Sequence, residues 1–498
     1  MTKAVKEKAI SATLWSIVRI GVDQLFSFLV FIVVARLLGP VDVGIFALGM
    51  IFAELTRIFA TSGFADAVTK ASADQEETVA CAAFWSNMVI AIACSLMVTL
   101  VAATVGKYVS TDRLAEVIIA LAWTIPLSAG SAIHMARCLK RFGHKALAIR
   151  AIVSGLAGGA VAIAAAFQGY GVWALVLQRF VTELITLITA WLAYRWVPTF
   201  HFTSTDLKEI LPFSVKMSFT KFIALIASRV QDVVIGAFVG PAAVGMYRIA
   251  KKTIDILMTA TLTPLSTVAT NFFVAVRDDE IRFQQSFVKL VTVSSCIAFP
   301  AFLGLAAVAD VVVPLVYGPK WNEAIPILQL LAPICIPLVI SLYILPVLTV
   351  FGEASKAARM TVNQLFLSLA FALIAAPFGV YPVVLGFLLR AYLMIPYQLR
   401  LIERHTNCSV NRIILHIGKP LGASVMTSLI CYYSLNYLYR SEFNDIISLM
   451  LAVTQSVVLY VITLLVIDRR SVRWLIEIIH SILRRGRRNT TRRPDPVL

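Results

Sequence analysis

The apolar positions of this chain do not alternate, and only short stretches follow a helical stripe. Most gather into unbroken runs of roughly 20 residues or more, the length an α-helix needs to cross a hydrocarbon layer. About fourteen such runs stand out, near 10–35, 43–62, 79–105, 115–136, 146–167, 172–194, 212–238, 243–273, 286–309, 323–350, 358–376, 381–399, 416–438 and 446–467. A backbone exposed to lipid has to satisfy its own hydrogen bonds, which leaves helices or closed barrels, and barrel strands would show period-two alternation in pieces of about 10 residues. No such alternation is present. The pattern therefore predicts an all-α polytopic membrane protein. Two amphipathic helices are expected outside the spans: one at Thr203–Leu211, with Asp206 as N-cap and Glu209 three residues on, and one at Val472–Arg485.

The runs repeat. ARLLGPVDVGIFALG (Ala35 to Gly49) returns in the second half as AFVGPAAVGMY (Ala237 to Tyr247). Ile125-Pro126-Leu127 returns as Ile336-Pro337-Leu338, FGHKALAIR from Phe142 returns as FGEASKAAR from Phe351, and GVWALV from Gly171 returns as GVYPVV from Gly379. Four pairs in the same order with nearly constant spacing imply a duplicated unit, because single Gly-Pro or Phe-Gly matches are common near helix ends. The expected organisation is an N-terminal six-helix bundle at 1–200, an amphipathic linker at 201–211 and a second six-helix bundle at 212–405. Two further spans follow at 416–467, then a basic tail at 468–498. An even number of spans per half keeps both copies facing the same way, so their pseudo-two-fold axis runs along the membrane normal, with a central cavity expected between the bundles. In each copy Gly-Pro ends a helix and turns the chain, and the later glycine, Gly44 or Gly245, relieves crowding where the next helix begins.

Composition agrees with this pattern. The 498 residues are 59% hydrophobic and 14% charged, with a mean hydropathy of +0.85. The basic N-terminus leads into an apolar run longer than a signal-peptide core and without a small-residue cleavage site, so it is expected to stay as the first span. Seven unclustered cysteines suggest neither a disulfide framework nor a metal site.

The net charge of +17 is distributed by side. Lys3, Lys6, Lys8, Lys70, Arg137, Lys140, Arg141, Lys145, Arg150, Arg195, Lys208, Arg277, Arg282, Lys356, Arg359, Arg400, Arg404, Arg412 and the arginine-rich tail fall in one set of connections. Arg36, Lys107, Arg113, Lys320 and Arg440 nearly complete the other set. The positive-inside rule then places both termini in the cytoplasm, with the tail on the anionic inner leaflet. A basic tail also suits nucleic acid, but no nucleic-acid module precedes it, and no such partner is expected. The chain lacks a GxxxxGK[ST] loop and an HExxH motif, and its outer connections are too short for a catalytic region, so an enzyme is not expected.

Charges inside the spans are costly and become the functional candidates. Arg19 with Asp23, Glu54 with Arg57, Arg179 with Glu183 and Arg229 with Asp232 stand at helical spacing and could each neutralise locally. What remains is basic. Lys221, Arg229 and Asp232 share a sector of the seventh span, Arg248, Lys251, Lys252 and Asp255 share a face of the eighth, and Arg390 stands alone in the twelfth. Lys221, Arg229, Arg248, Lys251, Lys252 and Arg390 are thus the candidate lining of a cationic cavity suited to an anionic cargo, with phosphate or pyrophosphate the obvious membrane-resident anion. Pro126, Pro264, Pro333, Pro337 and Pro346 supply bends within spans.

The segment VARLLGPVDVGIFALGMIFAEL, the following SGFADAVTK, the FG-x6-R segment after the fourth span and the fourteen-span plan resemble the Wzx-type polysaccharide transporters, or flippases. These belong to the multidrug/oligosaccharidyl-lipid/polysaccharide exporter superfamily, and the likeness is to its exopolysaccharide and colanic-acid-like branch. The resemblance implies translocation of an undecaprenyl-pyrophosphate-linked oligosaccharide across the bacterial cytoplasmic membrane by alternating access. It implies no cofactor, and a polymerase and chain-length regulator as partners. Some relatives are thought to couple to an H+ or Na+ gradient; here burial alone suggests Asp23, Glu54, Asp232 and Asp255 for that task. Three other readings stay open: a drug or cation exporter of the same superfamily, a lipid II flippase, and a non-transporting scaffold for glycan-synthesis enzymes.

Overall fold

The computed structural model describes residues 26–72, 74–105, 112–141, 143–200, 203–439, 445–469 and 472–474, and among them all regular structure is helical. Twelve helical segments of the described residues are long and apolar enough to cross a membrane. Two of the fourteen expected spans differ. Of the first, residues 10–25 lie outside the described residues, and the rest forms a short helix, α1 (Phe26–Leu37). The eighth, expected at 243–273, is interrupted: α9 (Pro241–Thr261) stops at Leu262 and α10 (Thr263–Ala275) starts anew with Pro264 in its first turn. A proline has no N–H to continue the ladder, and α9 carries too much charge to count as an apolar span.

The chain divides into two compact units. The first contains the described residues up to Arg248, with 316–321 and 368–380. It holds α1, α2 (Pro40–Lys70), α3 (Glu76–Val105), α4 (Asp112–Ala122), α5 (Thr124–Lys140), α6 (His144–Phe167), α7 (Val172–Ala193), α8 (Ser204–Phe238) and the start of α9. α2 is the central element, packing on α3, α4, α5 and α8. The helix expected at Thr203–Leu211 is not separate, because α8 runs on through Pro212. One core joins Phe64 and Val68 of α2, Ala80, Ala83 and Phe84 of α3, Ile133 of α5 and Ile210 of α8. Another joins Ile45 of α2, Val117 and Leu121 of α4, and Val172 and Val176 of α7.

In hydrocarbon, helices gain little from burying apolar surface against each other, so close packing over small residues does more of the work. The repeated Gly-Pro motif shows this directly. Pro40 and Pro241 open α2 and α9, and the glycine four residues after each packs on the other copy. A methyl group at Gly44 would land on the carbonyl oxygen of Pro241, and one at Gly245 would land on that of Pro40. The crowding expected at these glycines is therefore a reciprocal crossing of the two copies. At Gly63, a methyl would meet the Ser214 carbonyl of α8 in the same way. The GVWALV and GVYPVV copies also match in backbone: Gly171 and Gly379, each just before a helix, take φ values of 58° and 102°, a region that disfavours residues with a Cβ. Arg36 and Lys320 cap helix ends, Arg36 Nε donating to the Val316 carbonyl at 2.8 Å and Lys320 Nζ to that of Leu37 at 3.1 Å.

The second unit contains 249–315, 322–367 and the described residues from Tyr381 onward. It holds the rest of α9, α10, α11 (Glu280–Ala307), α12 (Ala309–Tyr317), α13 (Ala324–Leu331), α14 (Cys335–Val350), α15 (Ala354–Ala375), α16 (Val380–Thr406), α17 (Val410–Tyr439) and α18 (Asp445–Ile467), with the ends of α12 and α15 falling in the first unit. α11 packs on α10, α14 and α17. Phe273, Phe283, Phe287 and Tyr343 form an aromatic centre there. Pro333 sits in a short 3-10 turn, Ala332–Ile334, that separates α13 from α14. The tenth span is thus broken at a proline, as the fourth is at Trp123 between α4 and α5, three residues before Pro126.

Candidate functional site

α2 presents Glu54, Arg57 and Asp66 to its neighbours, and each of these three charges finds a partner on another helix. Arg57 Nη1 donates to Glu183 Oε1 of α7 at 3.3 Å, and Arg179, one turn before Glu183, also reaches that carboxylate. Glu54 accepts from Arg229 Nη2 of α8 at 2.9 Å. Arg229 in turn lies 4.0 Å from Asp232, whose nearer cation is Arg248 of α9, with Nε at 2.8 Å. Lys221 of α8 donates to Asp66 Oδ2. Five cations thus face four carboxylates. At low dielectric such pairs hold only because each ion keeps a counter-charge, since the cost of dehydrating a lone ion is several kcal/mol.

This arrangement corrects the local pairing expected from the sequence. Arg179 with Glu183 is found as expected. Glu54 and Arg57 each take a partner from a different helix, because neighbouring helices bring better-aligned groups than a one-turn step along α2 does. Arg229 touches Asp232 only loosely. Arg248, expected as surplus charge, is balanced by Asp232. Asp23 and Arg19 lie outside the described residues.

The first unit thus brings together Lys221, Arg229, Arg248, Glu54 and Asp232. The other candidates belong to the second unit. There Lys251 and Asp255 pair one turn apart at 3.2 Å, with Lys252 next in α9. Arg390, expected to stand alone, lies 4.9 Å from the ring centre of Phe387.

Beside the network in the first unit lies a pocket of about 520 Å³. α2 lines it with Arg57, Thr61 and Asp66, α5 with Ser128 and Ala132, α6 with Arg150, and α8 with Lys221. Its charged lining is three cations to one carboxylate. A second pocket of about 540 Å³, between α3, α5 and α7, is lined by Phe84, Met88, Leu187, Trp191 and other apolar residues and carries no charge.

Sequence reasoning missed Asp66, Arg150 and the inter-helix role of Glu183. The available signal was Asp66 itself, a carboxylate inside the apolar stretch SGFADAV. Arg137, counted among connection charges, is instead buried: it pairs with Glu76 and Glu77 of α3 and lies under Tyr194 and Trp196. His134, one turn before it, stacks on Trp191 at 4.5 Å, with Nε2 3.0 Å from the Trp196 carbonyl. These contacts fasten the segment after α7 to α3 and α5.

Described residues whose regular structure is all helical, twelve apolar spans among them and ionic side chains paired between helices define a multi-pass membrane protein. A family model described as polysaccharide biosynthesis protein matches residues 33–326, and the chain belongs to that family. Its relatives include the lipopolysaccharide biosynthesis protein WzxC of Escherichia coli (strain K12), 23% identical over 441 residues, which cover 86% of this chain and 88% of that protein. The succinoglycan biosynthesis transport protein ExoT of Rhizobium meliloti (strain 1021) is 24% identical over 333 residues, 67% of each chain. Among solved structures, the lipid II flippase MurJ in an inward closed conformation aligns with a TM-score of 0.72 at 12% identity, covering 92% of this chain and 99% of that one. An inward-facing multidrug resistance MATE transporter of the MOP superfamily aligns with a TM-score of 0.59 at 16% identity, covering 79% and 99%. At these identities the structural likeness shows the fold alone.

Proposed function

We propose that this protein is a flippase that moves polyprenyl-pyrophosphate-linked oligosaccharide units across the bacterial cytoplasmic membrane for assembly of an exported polysaccharide. The observation that carries this reading is the charged pocket among apolar spans: Arg57, Arg150 and Lys221 line it against Asp66, a predominantly cationic lining that favours an anion. A pyrophosphate attached to a polyprenyl chain is an anion that already resides in the membrane, and charge-assisted hydrogen bonds to guanidinium and ammonium groups suit it. The family match and the transport named in the ExoT relative support the same reading. Both termini face the cytoplasm, no reaction is catalysed, and polymerase and chain-length regulator are the membrane partners.

The relatives' names refer to different polymers, lipopolysaccharide, succinoglycan and teichuronic acid, and the exported polymer here is an exopolysaccharide, O-antigen or capsule. The test is mass spectrometry of polyprenyl-linked glycans, with assay of exported polymer, in a strain lacking the gene. The expected result is accumulation of one pyrophosphate-linked repeat unit and loss of polymer, both restored by the wild-type gene and by neither when Arg57 and Lys221 are changed to Ala together. Unchanged glycans and polymer, in a strain with no second flippase, would refute the proposal and turn attention to drug export.

A further inference from the structure

The ion pairs of the first unit differ in how firmly each carboxylate is held. Glu183 is held by two arginines, Arg57 and Arg179, and its side chain is 8% exposed. Asp232 lies against Arg248 and Arg229 and is 1% exposed. Asp66 differs on both counts: its one cation is Lys221, a point charge on a flexible stem, and its side chain is 33% exposed, with that of Lys221 at 42%. Both line the 520 Å³ pocket.

From these differences we infer that Asp66 and Lys221 form an exchangeable pair, in which an anionic phosphate entering the pocket takes Lys221 and the released Asp66 carboxylate takes up a proton. This rests on the anion-binding reading of the pocket and adds which residue responds when the anion arrives. A phosphate carries more charge and more acceptor oxygens than a carboxylate, so it outcompetes Asp66 for the ammonium. Lys221 stays protonated throughout; its hydrogen bond changes acceptor and no covalent bond breaks. Asp66 then loses its counter-ion and gains a negative neighbour, and both changes favour its neutral form. The proton comes from water in the pocket and binds a carboxylate oxygen. The charged groups lining the pocket around Asp66 are Arg57 of α2, Arg150 of α6 and Lys221 of α8; α5 contributes no charged group to the lining. Arg57 is engaged with Glu183, and the cation in hydrogen-bond contact with Asp66 is Lys221. Glu183 and Asp232, each beside two arginines, hold the helices together.

The test uses the purified full-length protein in nanodiscs, titrated with farnesyl pyrophosphate in a calorimeter, with two buffers of different ionisation enthalpy to count protons. Wild type is expected to take up close to one more proton per ligand bound than Asp66→Asn does. Its affinity is expected to weaken, relative to that variant, by up to about tenfold per pH unit on the alkaline side. Asp66→Glu, which keeps the carboxylate, should restore both the uptake and the pH dependence, and so separates proton binding from a folding defect. Equal proton counts in wild type and Asp66→Asn, with binding intact, would overturn the exchange while leaving the anion pocket standing. A proton count that depends on Na+ in place of pH would overturn it as well. If farnesyl pyrophosphate does not bind wild type, or binds Lys221→Ala equally well, the anion-pocket reading itself fails, and the exchange with it.

Discussion

Single side chains in this protein matter mostly through the charge they leave behind. Asp232 is nearly sealed between Arg248 and Arg229, so Asp232→Asn strands cationic charge and should cost about 3–5 kcal/mol. Replacing Asp232 and Arg248 together by leucine and methionine removes the pair as a unit and should cost markedly less. Thermal unfolding of the single and double variants in one detergent checks this, and equal losses would show that the pair carries no coupling. Outside the spans, Glu353 accepts from Lys356 Nζ at 2.7 Å and lies 3.6 Å from His405 Nε2. The Lys356 hydrogen bond, more than any other influence, holds the Glu353 carboxyl below its ordinary value of 4.5. A carboxylate depressed on folding stabilises above its unfolded pKa and loses that contribution as pH falls through the folded one. Glu353→Gln should therefore lower stability slightly at neutral pH, flatten the acid side of the profile below about pH 4.5 and converge with wild type at low pH, as melting curves across pH would report. At this scale the sequence was only partly informative. It marked Glu54, Arg57, Lys221, Arg229, Asp232 and Arg248 as the charges to watch, because charge in an apolar run is conspicuous. It paired several of them wrongly, because a one-turn neighbour is visible in a sequence and a neighbour on another helix is not.

Elements meet through small residues, and the Gly-Pro repeat makes the sharpest case. Gly39 has nothing within 4 Å of where a Cβ would stand, while Gly44 and Gly245 face each other's proline carbonyls. Gly39→Ala should therefore be tolerated, and Gly44→Val or Gly245→Val should each destabilise by about 1–3 kcal/mol through overpacking. The two should not add, because either one pushes the same pair of helices apart. Detergent-solubilised melting temperatures of the three single variants and the double variant decide it; full additivity would count against a shared contact. The spacing of this motif was plain in the sequence, and so was the crowding at its later glycine. That the two copies crowd one another came from the structure, since a repeat announces similarity and says nothing about contact. The elements that departed from expectation did so at prolines and charges. The eighth span broke before Pro264, while Pro212 passed through α8 without ending it. Whether a proline breaks a helix depends on what else can satisfy the freed carbonyl, and that is decided outside the local sequence.

At the scale of the whole chain, the distribution of Lys and Arg predicts that both ends lie on the cytoplasmic side. Fusions at the C-terminus should give fluorescence with green fluorescent protein and no activity with alkaline phosphatase; active phosphatase would reverse the orientation. The sequence by itself determined that the chain crosses a membrane many times as helices, that short motifs of its first half recur in its second, and that its apolar runs carry charge. Length, hydropathy and repetition are properties of a string, and a bilayer turns them into architecture with few alternatives. Only the tertiary structure decided which acid meets which base, that Arg137 is buried, and that Arg57, Asp66, Arg150 and Lys221 surround one pocket. Ion pairing and cavity shape depend on distances of a few ångströms between helices far apart in the chain, and those distances exist only after packing.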